Sequence, residues 1–265
     1  MEESWTVLKV LDWTTSRFER EGLDSPRLEA QVLLAHVLEC NRVALYTSFD
    51  RPLAKAELAA FRGLIKRRLA GEPVAYLIGT QEFWSRSFVV DSRVLIPRRD
   101  TETLIEVVLD RVGDRSRELA IADVGTGSGA IAVTLAAELA NSKVVAIDLS
   151  EGALEVARRN VSAHELDTRV ELHHGDLLYP VREQRFDVIV ANLPYVAEAD
   201  LEQLQVEVQL EPRTALVSGE DGLDLIRRFV SSLKDYFKDG AFAALEHGFD
   251  QGRAVREIID QAGLG

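Results

Sequence analysis

Three observations predict an α/β protein: a doubly wound, mainly parallel sheet with helices on both faces, preceded by a small helical bundle. From Glu118 onward, short β-branched runs alternate with amphipathic stretches, the pattern of strands joined by crossover helices. Residues 1–72 carry apolar side chains at helical spacing only. Between them, residues 74–97 alternate apolar and polar in the manner of a hairpin. The expected organisation is a helical domain over 1–72, a β-hairpin linker over 73–97 and an α/β domain over 98–265.

Taken in order, Val7, Leu8, Leu11 and Trp13 open the first helical stretch. Ser25-Pro26 with Glu29 reads as a helix start, Pro26 taking the first helical position. Leu28, Val32, Leu33, Val37 and Leu38 then recur at helical spacing. A third helix follows Pro52, with Leu58, Phe61, Leu64, Ile65 and Leu69 on one face. Arg62, Lys66, Arg67 and Arg68 crowd its other face, a solvated surface or a partner contact. Gly71-Glu72-Pro73 breaks the helix, and Phe83 to Ile96 supply the hairpin. In Pro97-Arg98-Arg99-Asp100-Thr101-Glu102, Thr101 or Asp100 is placed to cap a helix from Glu102 to Leu109.

The α/β part reads as strands at 119–124, 143–149, 170–173, 186–190 and 241–246. Helices are expected at 130–139, 151–164, 222–237 and 251–262. Residues 196–221 read as a long loop, which in a compact domain points to function. Gly263-Leu264-Gly265 reads as a helix C-cap, beyond which a further strand is expected.

Composition narrows the function classes. At 265 residues, 46% hydrophobic and 28% charged, the chain has the make-up of a soluble globular protein. No run approaches the roughly 18 apolar residues of a membrane span, and the acidic start lacks the layout of a signal peptide. The single cysteine, Cys40, rules out an internal disulfide and fits a reducing cytoplasm. The five histidines form no metal-binding pattern, so no metal is expected. A net charge of −13 argues against broad binding to a phosphate backbone, and no direct nucleic-acid contact is expected.

Four motifs fall at predicted strand ends, the edge of an open parallel sheet where ligands bind. Asp123-Val124-Gly125-Thr126-Gly127-Ser128-Gly129 follows the first strand, and its glycines let backbone amides approach a ligand. Asp148 ends the second strand, about 20 residues on, where a carboxylate binds ribose hydroxyls. Together they indicate an adenosine-containing cofactor, either a nicotinamide dinucleotide or S-adenosylmethionine. Asp123 is placed to meet the amino acid end of the latter, directly or through water. Gly175-Asp176 follows the third strand, where the carboxylate can accept from an adenine amino group or cap a turn. Asn192-Leu193-Pro194-Tyr195 ends the fourth. There the Asn192 oxygen and the Leu193 carbonyl can each accept one proton of a planar NH2 group, and Tyr195 can stack on its face. Taken alone, the same turn is a proline-terminated strand with an Asn turn.

The Asp-x-Gly-x-Gly-x-Gly turn, Asp148 and Asn-Leu-Pro-Tyr together resemble class I S-adenosylmethionine-dependent methyltransferases acting on amino or amide nitrogen. Within these the chain resembles the release-factor glutamine methyltransferases, the PrmC/HemK family. PVAYLIGTQEFWSRSFVV, VLIPRRDTE, DVGTGSG, FDVIVANLPYV, EPRTAL and LEHGFDQ fall in that family's order across nearly the whole chain. Two positions depart from it: Leu193 replaces the first proline of the usual Asn-Pro-Pro-Tyr, and Arg98-Arg99 replaces Arg-Pro. Without that proline the turn loses some rigidity.

The resemblance implies a Rossmann-like fold, a cytoplasmic monomer, and a helical N-terminal domain that recognises substrate. It implies methylation of the Gln amide nitrogen in the Gly-Gly-Gln motif of peptide chain release factors, with S-adenosylhomocysteine as product. Asp123, Gly125, Thr126, Gly127, Ser128, Gly129, Asp148, Asp176, Leu177 and Asn192 would bind the cofactor; Asn192, Leu193, Pro194 and Tyr195 would hold and orient the amide. The alternatives are a ribosomal-RNA adenine or ribosomal-protein glutamine methyltransferase, a nicotinamide-dependent oxidoreductase, and an inactive cofactor-binding homologue. The Leu193 departure points towards the RNA enzymes. Net charge, the N-terminal position of the helical part and EPRTAL point away from them.

Overall fold

A computed structural model describes residues 5–264; positions 1–4 and 265 lie outside the described residues, so Gly265 of the expected C-cap is not among them. The chain divides into two compact units between Gly79 and Thr80.

The first unit packs α1 (Val7–Arg20), α2 (Pro26–Val37), α3 (Arg42–Tyr46), α4 (Lys55–Leu69) and α5 (Val74–Ile78) around one core. Val7, Leu11, Phe18, Leu33, Leu34 and Phe61 are its fully or almost fully buried members. The helix starts are capped by chemistry more than by pattern. Thr6 accepts from the Lys9 N–H, Asn41 Oδ1 from the Ala44 N–H, and Glu57 Oε2 from the Ala54 N–H. Ser25 is the N-cap of α2 but makes no side-chain cap bond. Glu29 instead reaches the guanidinium of Arg68 at 2.6 Å, a pair whose arginine is 3% exposed. The basic face expected on α4 is thereby corrected: Arg68 points inward, and Arg67 pairs with Glu72. The stretch expected to be all hairpin begins with a helix, α5, ended by Gly79 in the left-handed region.

The second unit opens with the hairpin β1 (Thr80–Phe83) and β2 (Arg86–Val89). Its two-residue turn, Trp84-Ser85, has positive φ at both positions, the twist-matched hairpin geometry. After α6 (Glu102–Val112) come β3 (Ala120–Val124), α7 (Ala130–Glu138), β4 (Lys143–Asp148), α8 (Glu151–Ala163), β5 (Val170–His174) and β6 (Phe186–Ala191). The expected long loop holds short helical turns at Glu198–Gln203 and Arg213–Ala215, with α9 (Val206–Gln209) between them. Then follow α10 (Asp224–Ser232), β7 (Phe237–Leu245) and α11 (Gly252–Gln261).

The five central strands are parallel throughout, in the order β5-β4-β3-β6-β7. Because side chains alternate along a strand, the sheet has two dry faces. Ile121, Val144, Ala146, Val188 and Val190 pack with α6 and α7. Ala122, Val145, Ile147, Ile189 and Ala191 pack with α10 and α11. The inner strands β3, β4 and β6 are mostly apolar, whereas the outer strands carry polar residues, Glu171, His173 and His174 in β5 and Lys238 and Asp239 in β7. Asp187 stands at the start of β6: its Oδ2 accepts from the Ala120 N–H and from Lys238, both at 2.7 Å.

Candidate active site

The register of the sheet assembles the site. Val124 pairs with Ile147 and with Ala191, so β3, β4 and β6 end side by side. Asp148 pairs with His174, which brings the end of β5 alongside. The chain leaves β3 in one direction and β6 in the other, and ligands bind at such a switch point. All four motifs meet there.

A cavity of about 360 Å³ opens at this edge, a size typical of small-molecule sites. Gly125, Thr126, Gly127, Ser128, Asp148, Asp176, Leu177, Asn192, Leu193 and Pro194 line it. Asp123, Gly129 and Tyr195 do not. Asp123 lies fully buried beneath the glycine turn. Its Oδ2 accepts from Thr126 Oγ1 at 2.6 Å and from the Ala132 N–H at 3.0 Å, while Oδ1 has no partner. Burial pushes its carboxyl up to about 7. Gly129, with φ +80°, ends the turn where a Cβ would press on Ala157. Tyr195 donates its hydroxyl to Glu246 at 3.2 Å, and burial first, then that carboxylate, pushes the phenol up to about 12.

Glycine is required at Gly125. It has φ +76°, and a Cβ would meet the Leu193 side chain at 3.2 Å and the Asn192 carbonyl at 3.6 Å. The cofactor turn and the Asn-Leu-Pro-Tyr turn are thus in direct contact. Leu193 is buried in the lower core and fills the space below that contact. Asp148 accepts from the Gly127 N–H and the Ser150 N–H, each at 2.8 Å, and burial raises its carboxyl despite these bonds. A carboxylate has lone pairs for further donors after two such bonds. Asp176 forms an ion pair with Arg228. Leu177, beside it, has φ +48°, a strained backbone for a leucine.

The rest of the lining includes residues not singled out as site members. Among them are Val94, Leu95, Pro97, Arg98 and Thr101, with Pro212, Thr214 and Ala215 from EPRTAL. Glu211, 5% exposed, ties the two segments together. Its Oε2 accepts from the Ile96 N–H at 3.0 Å, and its Oε1 pairs with Arg98. Burial raises the Glu211 carboxyl, opposed by Arg98. Thr101 stands at the N-cap of α6 without making a cap bond, contrary to expectation. Its hydroxyl accepts from Asn192 Nδ2 at 3.0 Å. Asn160 of α8 is fully buried: its amide bonds both backbone groups of Val89 and the Ser128 carbonyl, at 2.7–2.9 Å.

The fold is shared with solved methyltransferases. The catalytic domain of hMettl16, solved in complex with a MAT2A 3′UTR hairpin, matches with a TM-score of 0.55 at 16% identity, covering 81% of this chain and 84% of that one. A SAM-dependent methyltransferase from Agrobacterium tumefaciens matches at 0.50 with 14% identity, over 70% of this chain and 58% of that one. These likenesses are of fold alone. The PrmC N-terminal domain model matches residues 9–79 and the methyltransferase small domain model residues 99–219. The fold is that of class I methyltransferases, and the second family match is to a methyltransferase domain.

Relatives named release factor glutamine methyltransferase match almost end to end. One from Geobacter sulfurreducens is 45% identical over 99% of this chain and 91% of its own length. One from Moorella thermoacetica is 43% identical over 97% and 91%. The chain belongs to the release factor glutamine methyltransferase family. No helix among the described residues is long and apolar enough to cross a membrane.

Proposed function

We propose that this enzyme transfers the methyl group of S-adenosylmethionine to the side-chain amide nitrogen of the Gln in the Gly-Gly-Gln motif of peptide chain release factors. We further propose that it acts as a cytoplasmic monomer. The observation that carries the reading is the direct contact between the cofactor turn at Gly125 and the Asn-Leu-Pro-Tyr turn, with Asn192 on the cavity wall.

The residues present fit the cofactor. Gly127 has open space where a Cβ would stand, leaving bare backbone beside the cavity. Asp148 would hold the ribose hydroxyls, and Asp176, paired with Arg228, would accept from the adenine amino group beside Leu177. Asp123 acts from beneath, holding the turn through Thr126 and Ala132. When bound, the cofactor supplies an already activated methyl group.

An amide nitrogen is a weak nucleophile because its lone pair is delocalised. The site meets this by orientation and electrostatics. The Asn192 oxygen and the Leu193 carbonyl accept the two amide protons, raise electron density on nitrogen and aim it along the transfer path. The nitrogen sheds one proton after transfer, and no side chain is needed as a strong base. Tyr195, tied to Glu246, stiffens the turn behind the clamp.

The test uses methyl-labelled S-adenosylmethionine and purified release factor, with Gly-Gly-Gln intact or its Gln changed to Ala. Label on the intact factor alone is expected. Label on neither, with cofactor bound, would turn attention to ribosomal RNA and ribosomal protein, and to Leu193. Asn192→Ala is expected to lose most turnover and keep cofactor affinity by calorimetry, and Asp148→Ala chiefly to lose that affinity.

A further inference from the structure

We propose that Thr101 is a positioning residue that holds the Asn192 side-chain amide in place at the cavity wall. The inference rests on the clamp described above and deepens it. An Asn side chain has an acceptor end and a donor end of nearly the same shape. Turned one way, Asn192 offers an oxygen to the substrate NH2; turned the other, it meets that NH2 with its own and repels it. The clamp therefore requires the Asn192 amide to be held in one position.

Thr101 does so. Its Oγ1 lies 3.0 Å from Asn192 Nδ2 and accepts from it. Thr101 is 5% exposed, which restricts its side chain to few orientations. Both residues line the same cavity. The hydroxyl is also withheld from its ordinary work. A threonine at a helix N-cap accepts from a first-turn N–H, a bond that typically stabilises a helix by about 1 kcal/mol. The N-terminus of α6 makes no such bond to Thr101. Thr101 is itself helical, with φ −65° and ψ −19°, and the Glu102, Thr103 and Leu104 N–H groups bond the carbonyls of Arg99, Asp100 and Thr101, so the hydroxyl is left to a side chain 91 residues away. With Nδ2 held on this side, Oδ1 is the atom left for the substrate.

Thr101→Val keeps shape and removes the acceptor; Thr101→Ser keeps the acceptor. The expected result with release factor is a kcat about tenfold lower in the Val variant, with KM little changed and calorimetric S-adenosylmethionine affinity intact. The Ser variant should recover most of the loss. A second readout is the Asn192 side-chain amide signal in a ¹H–¹⁵N spectrum, assigned by its loss in Asn192→Ala. It should shift in Thr101→Val and hold its place in Thr101→Ser. Wild-type kcat in the Val variant would overturn the inference, as would parallel loss of cofactor affinity or an unmoved amide signal. If the wild-type enzyme labels no release factor, the function reading fails instead, and the amide signal alone decides the role of Thr101.

Discussion

Asp123 was legible as a carboxylate beside the glycines, but its place was not. Sequence gives the order of residues along a turn and not which of them the turn covers. Fully buried with one oxygen unpartnered, it holds its proton to about pH 7 against an ordinary 3.8. The folded protein therefore keeps a proton that the unfolded chain releases. This group's stabilising contribution is complete below about pH 4 and is lost as pH rises to 7. Asp123→Asn cannot titrate, so its Tm should gain on the wild type as pH is raised from 4 to 8. A constant difference across that range would refute the assignment. Leu177 poses the opposite problem, since nothing in the sequence signals its left-handed backbone at the cavity wall. Leu177→Gly should change apoprotein stability by less than about 1 kcal/mol, relieved strain being offset by lost packing and glycine's unfolded-state entropy, and at the same time weaken cofactor binding. Thermal melts and calorimetry of the same variant would show both.

At the scale of elements, the inner strands were readable because burial on both faces demands continuous apolar runs. Helices with one polar face were readable by period. What escaped were features set by partners distant in sequence. Helical spacing sends Arg68 outward with its basic neighbours; Glu29, 39 residues earlier, draws it in. Capping rules assign the Thr101 hydroxyl to its own helix, and Asn192 claims it. Asn160 carries no motif, yet joins α8, β2 and the glycine turn. Asn160→Ala would leave Val89 and Ser128 with buried, unmet backbone groups. The expected cost is roughly 1–3 kcal/mol, with Tm several degrees lower, measured by calorimetry. A change within 0.3 kcal/mol, on the order of an ordinary surface substitution, would show that water replaces the amide.

At the scale of the whole molecule, the second unit is a sheet with a ligand edge, walled on one side by residues 94–101 and closed by Glu211 from the EPRTAL turn. Glu211→Ala should loosen this wall, weakening cofactor affinity severalfold with little change in the circular dichroism of the fold; unchanged affinity would show that the wall holds without the tie. Saturating S-adenosylmethionine at about a hundred times Kd should add roughly 2.7 kcal/mol to the stability of the folded state. Asp148→Ala should forfeit most of that increment.

The pairing of β3 with β6 also governs time. Val124 and Ala191 are neighbours in the sheet, yet, like Ala120 and Asp187, they are 67 residues apart in the chain. A contact of that span forms late, after the intervening β4, α8 and β5 have found their places, because its loop-closure entropy must be met first. The site is incomplete until it forms, since Gly125 and Leu193 meet across that seam. In a refolding experiment, helical signal should therefore return well before the ability to capture S-adenosylmethionine, and the lag between them would time the closing of the seam.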